Sequence, residues 1–176
     1  MPKVIAIIPS RLQSSRIPQK PLVEIAGLPM IVHVLRRALL SPVLDDVWVA
    51  TDSEKVKTVV QAAGGKAILT SSEHKNGTER LAEAAENIEA EYVILVNGDE
   101  VLLNPNHIKT SYETLLGSDA HASLLVSPFY KSNSPSDFKV ALNLKNEVMY
   151  ISRGDIPSSA RNPVHERLKA YHIMTF

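Results

Sequence analysis

Val4-Ile5-Ala6-Ile7-Ile8 is an unbroken apolar run closed by Pro9, and Tyr92-Val93-Ile94-Leu95-Val96 is a second run closed by Asn97-Gly98-Asp99-Glu100. Such runs, without polar alternation and rich in β-branched residues, mark strands buried on both faces. Between them, Asp46–Thr51 predicts another strand and Lys66–Thr70 a short one. Helical spacing fills the gaps. Met30, Ile31, Val34, Leu35, Ala38 and Leu39 share a face after a turn at Gly27, with Pro29 suited to a first helical turn. Val56, Val59, Val60 and Ala63 form a second face, with Asp52 or Ser53 as its cap and Gly64-Gly65 as its stop. Leu81, Ala84, Ala85 and Ile88 form a third, in a helix starting at Thr78. A helix over Pro105–Leu116 and a strand over Ala122–Val126 follow.

Strand and helix thus alternate four times over the first ~120 residues, which predicts right-handed crossovers and a mainly parallel sheet with helices on both faces. From Lys139 the pattern changes. Val140–Leu144 and Glu147–Ile151 read as a β-hairpin with Asn146 in its turn, an antiparallel addition. Leu168–Phe176 reads as a last strand. The expected fold class is α/β, in one domain over residues 1–176.

Composition narrows the function classes. Of 176 residues, 19 are Lys or Arg and 19 are Asp or Glu, so the formal net charge is 19 − 19 = 0. With 44% hydrophobic residues the chain is too apolar for disorder. It is not basic enough to mark nucleic-acid binding, and a single Trp, Trp48, offers no stacking platform. Cysteine is absent, which removes disulfides and thiolate chemistry and suits a reducing cytoplasm. The run Val4–Ile8 is shorter than the roughly 7–15 residues of a signal core and than the roughly 18 of a membrane helix. The six His include no pair at i, i+3 or i, i+4, which argues against a His-based metal centre.

In open α/β sheets ligands bind beyond the carboxyl ends of the strands. Four segments lie there. Ser10 to Lys20 carries Arg11, Arg16 and Lys20 with no carboxylate between them, suited to polyphosphate oxygens or simply to water. The loop lacks the glycines of a P-loop or a dinucleotide fingerprint. Ala50-Thr51-Asp52 ends the second strand. Gly77-Thr78-Glu79-Arg80 opens a helix, where free N–H groups can meet a ligand. Arg80 there opposes the helix dipole, so a ligand anion could explain it; a plain surface Arg is the alternative. Asn97-Gly98-Asp99-Glu100 ends the fourth strand and places Asp99 to hold Mg²⁺ or merely to turn the chain.

In order along the chain, Ile7-Ile8-Pro9-Ser10-Arg11, Ser14-Ser15-Arg16-Ile17-Pro18-Gln19-Lys20-Pro21-Leu22, Gly27-Leu28-Pro29-Met30, Ala50-Thr51-Asp52, Gly77-Thr78-Glu79-Arg80, Gly98-Asp99-Glu100 and Ser152-Arg153 with Ile156-Pro157 resemble one family. It is that of the 3-deoxy-manno-octulosonate (Kdo) cytidylyltransferases, or CMP-Kdo synthetases. The resemblance implies the nucleotide-diphospho-sugar transferase fold and the reaction of CTP with Kdo to CMP-Kdo and pyrophosphate, for lipopolysaccharide or other surface polysaccharide. It implies Arg11, Arg16 and Lys20 on the triphosphate, with Pro9, Ser10, Ala50, Thr51, Asp52, Gly77 and Thr78 around the nucleotide. It implies Arg80 on the nucleotide or the sugar carboxylate, Asn97 and Arg153 on the sugar side, and Asp99 on Mg²⁺. Arg11, Lys20 and Asp99 are then the catalytic set. A homodimer in the cytoplasm, with no membrane insertion and no nucleic-acid partner, also follows.

The chain departs from the family pattern in three places. Asn97 stands where Gln is usual, Val101 where Pro is usual, and Ala170 where a His is usual. These departures keep a sialic-acid-like nonulosonic acid open as the sugar. The family also continues past the position of Phe176 with a second metal-binding Asp, so the chain is expected to lack a C-terminal portion. A non-catalytic nucleotide-binding module is therefore the second expectation.

Overall fold

The computed structural model of the chain describes residues 3–14, 17–162, 164 and 166–176, with His172 described by its backbone alone. In chain order the elements are β1 (Val4–Pro9), β2 (Glu24–Ile25), β3 (Leu28–Pro29), α1 (Met30–Ala38), β4 (Asp46–Thr51), α2 (Glu54–Ala62), β5 (Lys66–Leu69), α3 (Gly77–Glu86), β6 (Tyr92–Val96), α4 (Pro105–Leu116), β7 (Ser123–Phe129), β8 (Lys139–Leu142), β9 (Val148–Ser152) and β10 (Arg167–Thr175). A single 3₁₀ turn, Lys20–Leu22, lies between β1 and β2. The chain packs as two compact units, Met1–Ser123 with Ile173–Phe176, and Leu124–His172.

In the first unit β5, β4, β1 and β6 lie side by side and parallel. The end of β10 adds an antiparallel edge, with Ile173 opposite Val96 and Thr175 opposite Ile94. The fold class is therefore α/β with a mainly parallel sheet. Every residue from Val4 to Ile8 is buried, as a central strand covered on both faces requires. Ile5, Ile7 and Leu95 pack with Leu81 and Ala84 of α3, and Ala6 and Ile8 alternate to the opposite face. Burying each of these aliphatic side chains is worth about 1.5–3 kcal/mol.

Local chemistry sets the boundaries. Ser53 caps α2, accepting from the Val56 amide at 3.4 Å. Of the two predicted caps, Asp52 is drawn away by tertiary bonds. Helix α3 begins one residue before the expected Thr78. Asn76 Oδ1 accepts from the Glu79 amide at 3.0 Å, while the Glu79 carboxylate accepts from the Lys75 amide at 2.8 Å. The Asn76 cap, with the Glu79 carboxylate reaching back to the residue before it, places Gly77 inside the helix. The turn at Gly27 is a two-residue hairpin between β2 and β3, with Ala26 and Gly27 at φ 48° and 81°. Positive φ at both central residues suits a tight hairpin.

In the second unit β8 and β9 form the predicted hairpin. Asn146 takes φ 62° in its turn, and Asn143 Oδ1 accepts from the amides of Lys145 and Glu147. Leu168 of β10 pairs antiparallel with Val140 of β8, and β7 also pairs with β10. Lys139 is fully buried. Its ammonium uses its three donors on the carbonyls of Ser134, Asp137 and Arg153 at 2.7, 2.9 and 2.5 Å. An amine with all its protons bonded is tolerated inside. Among the described residues, no helix is long and apolar enough to cross a membrane.

Candidate active site

Four segments leave the carboxyl ends of the first unit's strands, and hydrogen bonds tie them together. The Ser10 amide donates to the Ala50 carbonyl at 2.8 Å, and the Thr70 amide to the Thr51 carbonyl at 2.9 Å. Gly98 and Gly77 both press on β1. A Cβ at Gly98 would sit 3.0 Å from the Pro9 carbonyl oxygen, and one at Gly77 3.0 Å from the Pro9 ring. A side chain at either position would crowd Pro9, so glycine lets the segments close on each other with least adjustment.

At the centre of this arrangement is Asp52. One carboxylate oxygen accepts from the Leu12 amide at 3.1 Å, and the other accepts from Arg80 Nη2 at 3.0 Å. Arg80 is 3% exposed, and its Nη1 donates to Thr70 Oγ1 at 2.5 Å. The surface alternative for Arg80 is thereby removed. The anion that answers its unfavourable place in the first turn of α3 is Asp52, a residue of the chain itself.

The cationic loop faces the acidic turn. Lys20 Nζ lies 2.5 Å from Asp99 Oδ2, with both side chains partly open to solvent. Lys20 is placed by the 3₁₀ turn, in which Pro21 is buried. The preceding Gln19 sits at φ 50° and accepts from Lys55 Nζ at 2.8 Å. Asp99 is placed by the turn after β6, whose Leu103 is buried and accepts from Arg37 Nε at 2.8 Å. Arg11 is exposed and Asn97 half-buried. Ser10 is buried, and its hydroxyl has no partner among the described residues. Arg16 lies outside the described residues.

Arg153 belongs to the second unit. Its guanidinium donates to the Pro135 carbonyl at 2.7 Å and stacks 4.1 Å from the Phe138 ring centre. Asp99 offers one carboxylate, and among the described residues no group of three or more His, Cys, Asp or Glu could form a cage. That donor set fits Mg²⁺, which takes one or two carboxylates and completes its shell from phosphate oxygens and water.

Two contacts near the site carry no sequence signal of their own. Lys55 on α2 reaches Gln19 only through tertiary packing. His74 of the loop before α3 donates to Glu83, while both Glu83 oxygens accept from the Ser71 amide at 3.2 and 2.9 Å. The His74 hydrogen bond, then the Ser71 amide, holds the Glu83 carboxyl below its ordinary range.

The chain belongs to the cytidylyltransferase family, whose family model matches residues 5–176. Within it, the chain is 40% identical to the 3-deoxy-manno-octulosonate cytidylyltransferase of Escherichia coli, over 97% of this chain and 73% of that one. It is 43% identical to the protein of the same name from Yersinia enterocolitica, over 87% of this chain and 63% of that one. A solved CMP:2-keto-3-deoxy-manno-octonic acid synthetase, complexed with CTP, superposes with a TM-score of 0.91 at 37% identity. The match covers 99% of this chain and 73% of that chain. A cytidylyltransferase from Leptospira borgpetersenii shares the fold, at TM-score 0.62 and 20% identity.

The depressed Glu83 pKa has a defined consequence. A carboxylate whose folded pKa is lowered contributes above its unfolded pKa, and the contribution fades as pH falls through the folded value. The step that Glu83 ionisation imposes on the Ser71 amide resonance should therefore fall below the ordinary Glu value. Glu83→Gln should abolish that titration. A Ser71 amide that titrates at or above the ordinary Glu value would contradict the arrangement.

Proposed function

We propose that this chain acts as a CTP:3-deoxy-manno-octulosonate cytidylyltransferase in the cytoplasm. The anomeric hydroxyl oxygen of the sugar acid bonds to the α-phosphorus of CTP. The bond from that phosphorus to the bridging oxygen breaks, pyrophosphate leaves, and the hydroxyl proton passes to solvent. The product suits a glycosyl transfer into surface polysaccharide. One observation carries the reading: a cationic loop and an acidic turn meet at the strand ends of a chain that superposes on a CTP-bound synthetase. The shared name of the relatives supports Kdo as the acid rather than a sialic-acid-like one.

Catalysis of this kind is mostly placement and charge neutralisation. In the proposal Arg11 and Lys20 grip the triphosphate, with Arg16 joining from the same loop. Pro9, Ser10, Ala50, Thr51, Gly77 and Thr78 line the nucleotide site, and the buried Ser10 hydroxyl offers an unused hydrogen bond there. Asn97 belongs to the sugar side. Asp99 would hold Mg²⁺, which supplies Lewis acidity to the phosphates when bound. With CTP present, Lys20 is drawn from Asp99 to phosphate oxygens.

The proposal includes a homodimer. Strand β9 is a sheet edge whose Val148, Met149, Tyr150 and Ile151 are 45%, 69%, 63% and 39% exposed. Such an apolar edge invites pairing with a second chain. Sedimentation should give twice the chain mass, and Tyr150→Glu should shift it to one. A monomeric wild type at micromolar concentration would rule the dimer out.

Pyrophosphate release from CTP and Kdo with Mg²⁺ is the direct assay. Lys20→Ala and Asp99→Asn should each slow it about 100-fold or more. Neither should cost more than about 1 kcal/mol of stability, because their ion pair is solvent-exposed. No release by the wild type would refute the activity. A full Mg²⁺-dependent rate in Asp99→Asn would refute the metal assignment.

A further inference from the structure

The resemblance places Arg80 on the ligand; its geometry gives it different work. Its guanidinium is buried and already holds two partners, the Asp52 carboxylate and the Thr70 hydroxyl. Asp52 in turn accepts the Leu12 amide, one residue beyond Arg11. Thr70 is bound through its own amide to the Thr51 carbonyl, and Thr51 Oγ1 accepts from the Ser53 amide at 3.2 Å. A continuous run of bonds therefore leads from α3, through the ends of β5 and β4, to the backbone of the first loop.

We infer that Arg80, through Asp52 and Thr70, is a positioning residue that sets the Ser10–Leu12 backbone, and with it Arg11, for the triphosphate. This inference rests on the proposed CTP chemistry for its binding readout alone. Two physical points favour it. The first is geometric: a guanidinium 3% exposed that bridges a carboxylate and a hydroxyl has its orientation fixed by those partners, and turning it toward a ligand would leave Asp52 half-paired. The second is economy of order. The first loop contains Arg11, Arg16 and Lys20 and no carboxylate of its own to offset their repulsion. Asp52, on a neighbouring strand end, supplies both a charge of opposite sign and an acceptor for a loop amide. Arg80 keeps that carboxylate turned toward Leu12. An Arg suits this task because its rigid planar fork fixes the direction of both bonds together.

The test separates a positioning role from direct contact. Amide hydrogen exchange at Leu12 is measured without ligand, and CTP affinity by calorimetry, in Arg80→Gln, Asp52→Asn, the double variant and Thr70→Val. Arg80→Gln should speed Leu12 exchange and weaken CTP binding by about tenfold each. In the Asp52→Asn background, Arg80→Gln should weaken CTP by less than about twofold further, because the two residues act as one. Thr70→Val, an isosteric loss of one hydroxyl, should move both readouts in the same direction by a smaller factor. Weaker CTP binding by Arg80→Gln with unchanged Leu12 exchange would overturn the inference. So would a loss undiminished in the Asp52→Asn background. If Arg80→Gln does not fold, Thr70→Val decides: unchanged exchange and unchanged affinity would overturn it. A wild type that binds no CTP would refute the proposed function, while Leu12 exchange in the ligand-free chain still decides whether Arg80 orders the loop.

Discussion

The Asp52–Arg80 ion pair is the interaction on which the site depends. It joins helix α3 to the segments that follow β1, β4 and β5, and it does so with a charge nearly withdrawn from water. Removing one partner of such a pair leaves an uncompensated charge, at a cost of about 3–5 kcal/mol. The pair is satisfied further by the Leu12 amide and the Thr70 hydroxyl. The parallel sheet supplies the precondition. Adjacent parallel strands bring β1, β4, β5 and β6 to end at one edge, where one carboxylate reaches a loop amide and a helix guanidinium, and that guanidinium reaches the neighbouring strand end.

The second electrostatic feature differs in kind. Lys20 and Asp99 meet at 2.5 Å but remain partly exposed, so their pair contributes little to stability and is easily separated. A buried pair that fixes the frame and an exposed pair that can open is the division that the proposed uptake of a triphosphate and a divalent cation calls for. The balance of 19 basic and 19 acidic residues conceals both.

Much of this was legible from residue order. The apolar runs at Val4–Ile8 and Tyr92–Val96, and the helix over Pro105–Leu116, follow from periodicity because burial on both faces and helical spacing are local patterns. The hairpin turn at Asn146 was legible for the same reason. What tertiary packing decides was not. Asp52 and Ser53 are equally good caps in isolation, and only the bonds from Leu12 and Arg80 remove Asp52 from that choice. The first residue of α3 depended on Asn76 and Glu79 acting together. The ion partner of Arg80 lies 28 residues away, and the His74–Glu83 contact and the buried Lys139 have no signature in spacing. For the candidate site, sequence marked the segments and the residue types. It could not separate a side chain that meets a ligand from one that holds its neighbours in place.

The central claim is that a fixed frame built on Asp52 and Arg80 presents a cationic loop to a triphosphate, while the Lys20–Asp99 contact gives way. A structure of the chain with CTP and Mg²⁺ tests it most directly. The expected result keeps Arg80 on Asp52 and Thr70, keeps the Leu12 amide on Asp52, and parts Lys20 from Asp99 with phosphate oxygens against Lys20. A structure in which Arg80 leaves Asp52 to touch the nucleotide, or in which Lys20 stays on Asp99 with the triphosphate bound elsewhere, would contradict it.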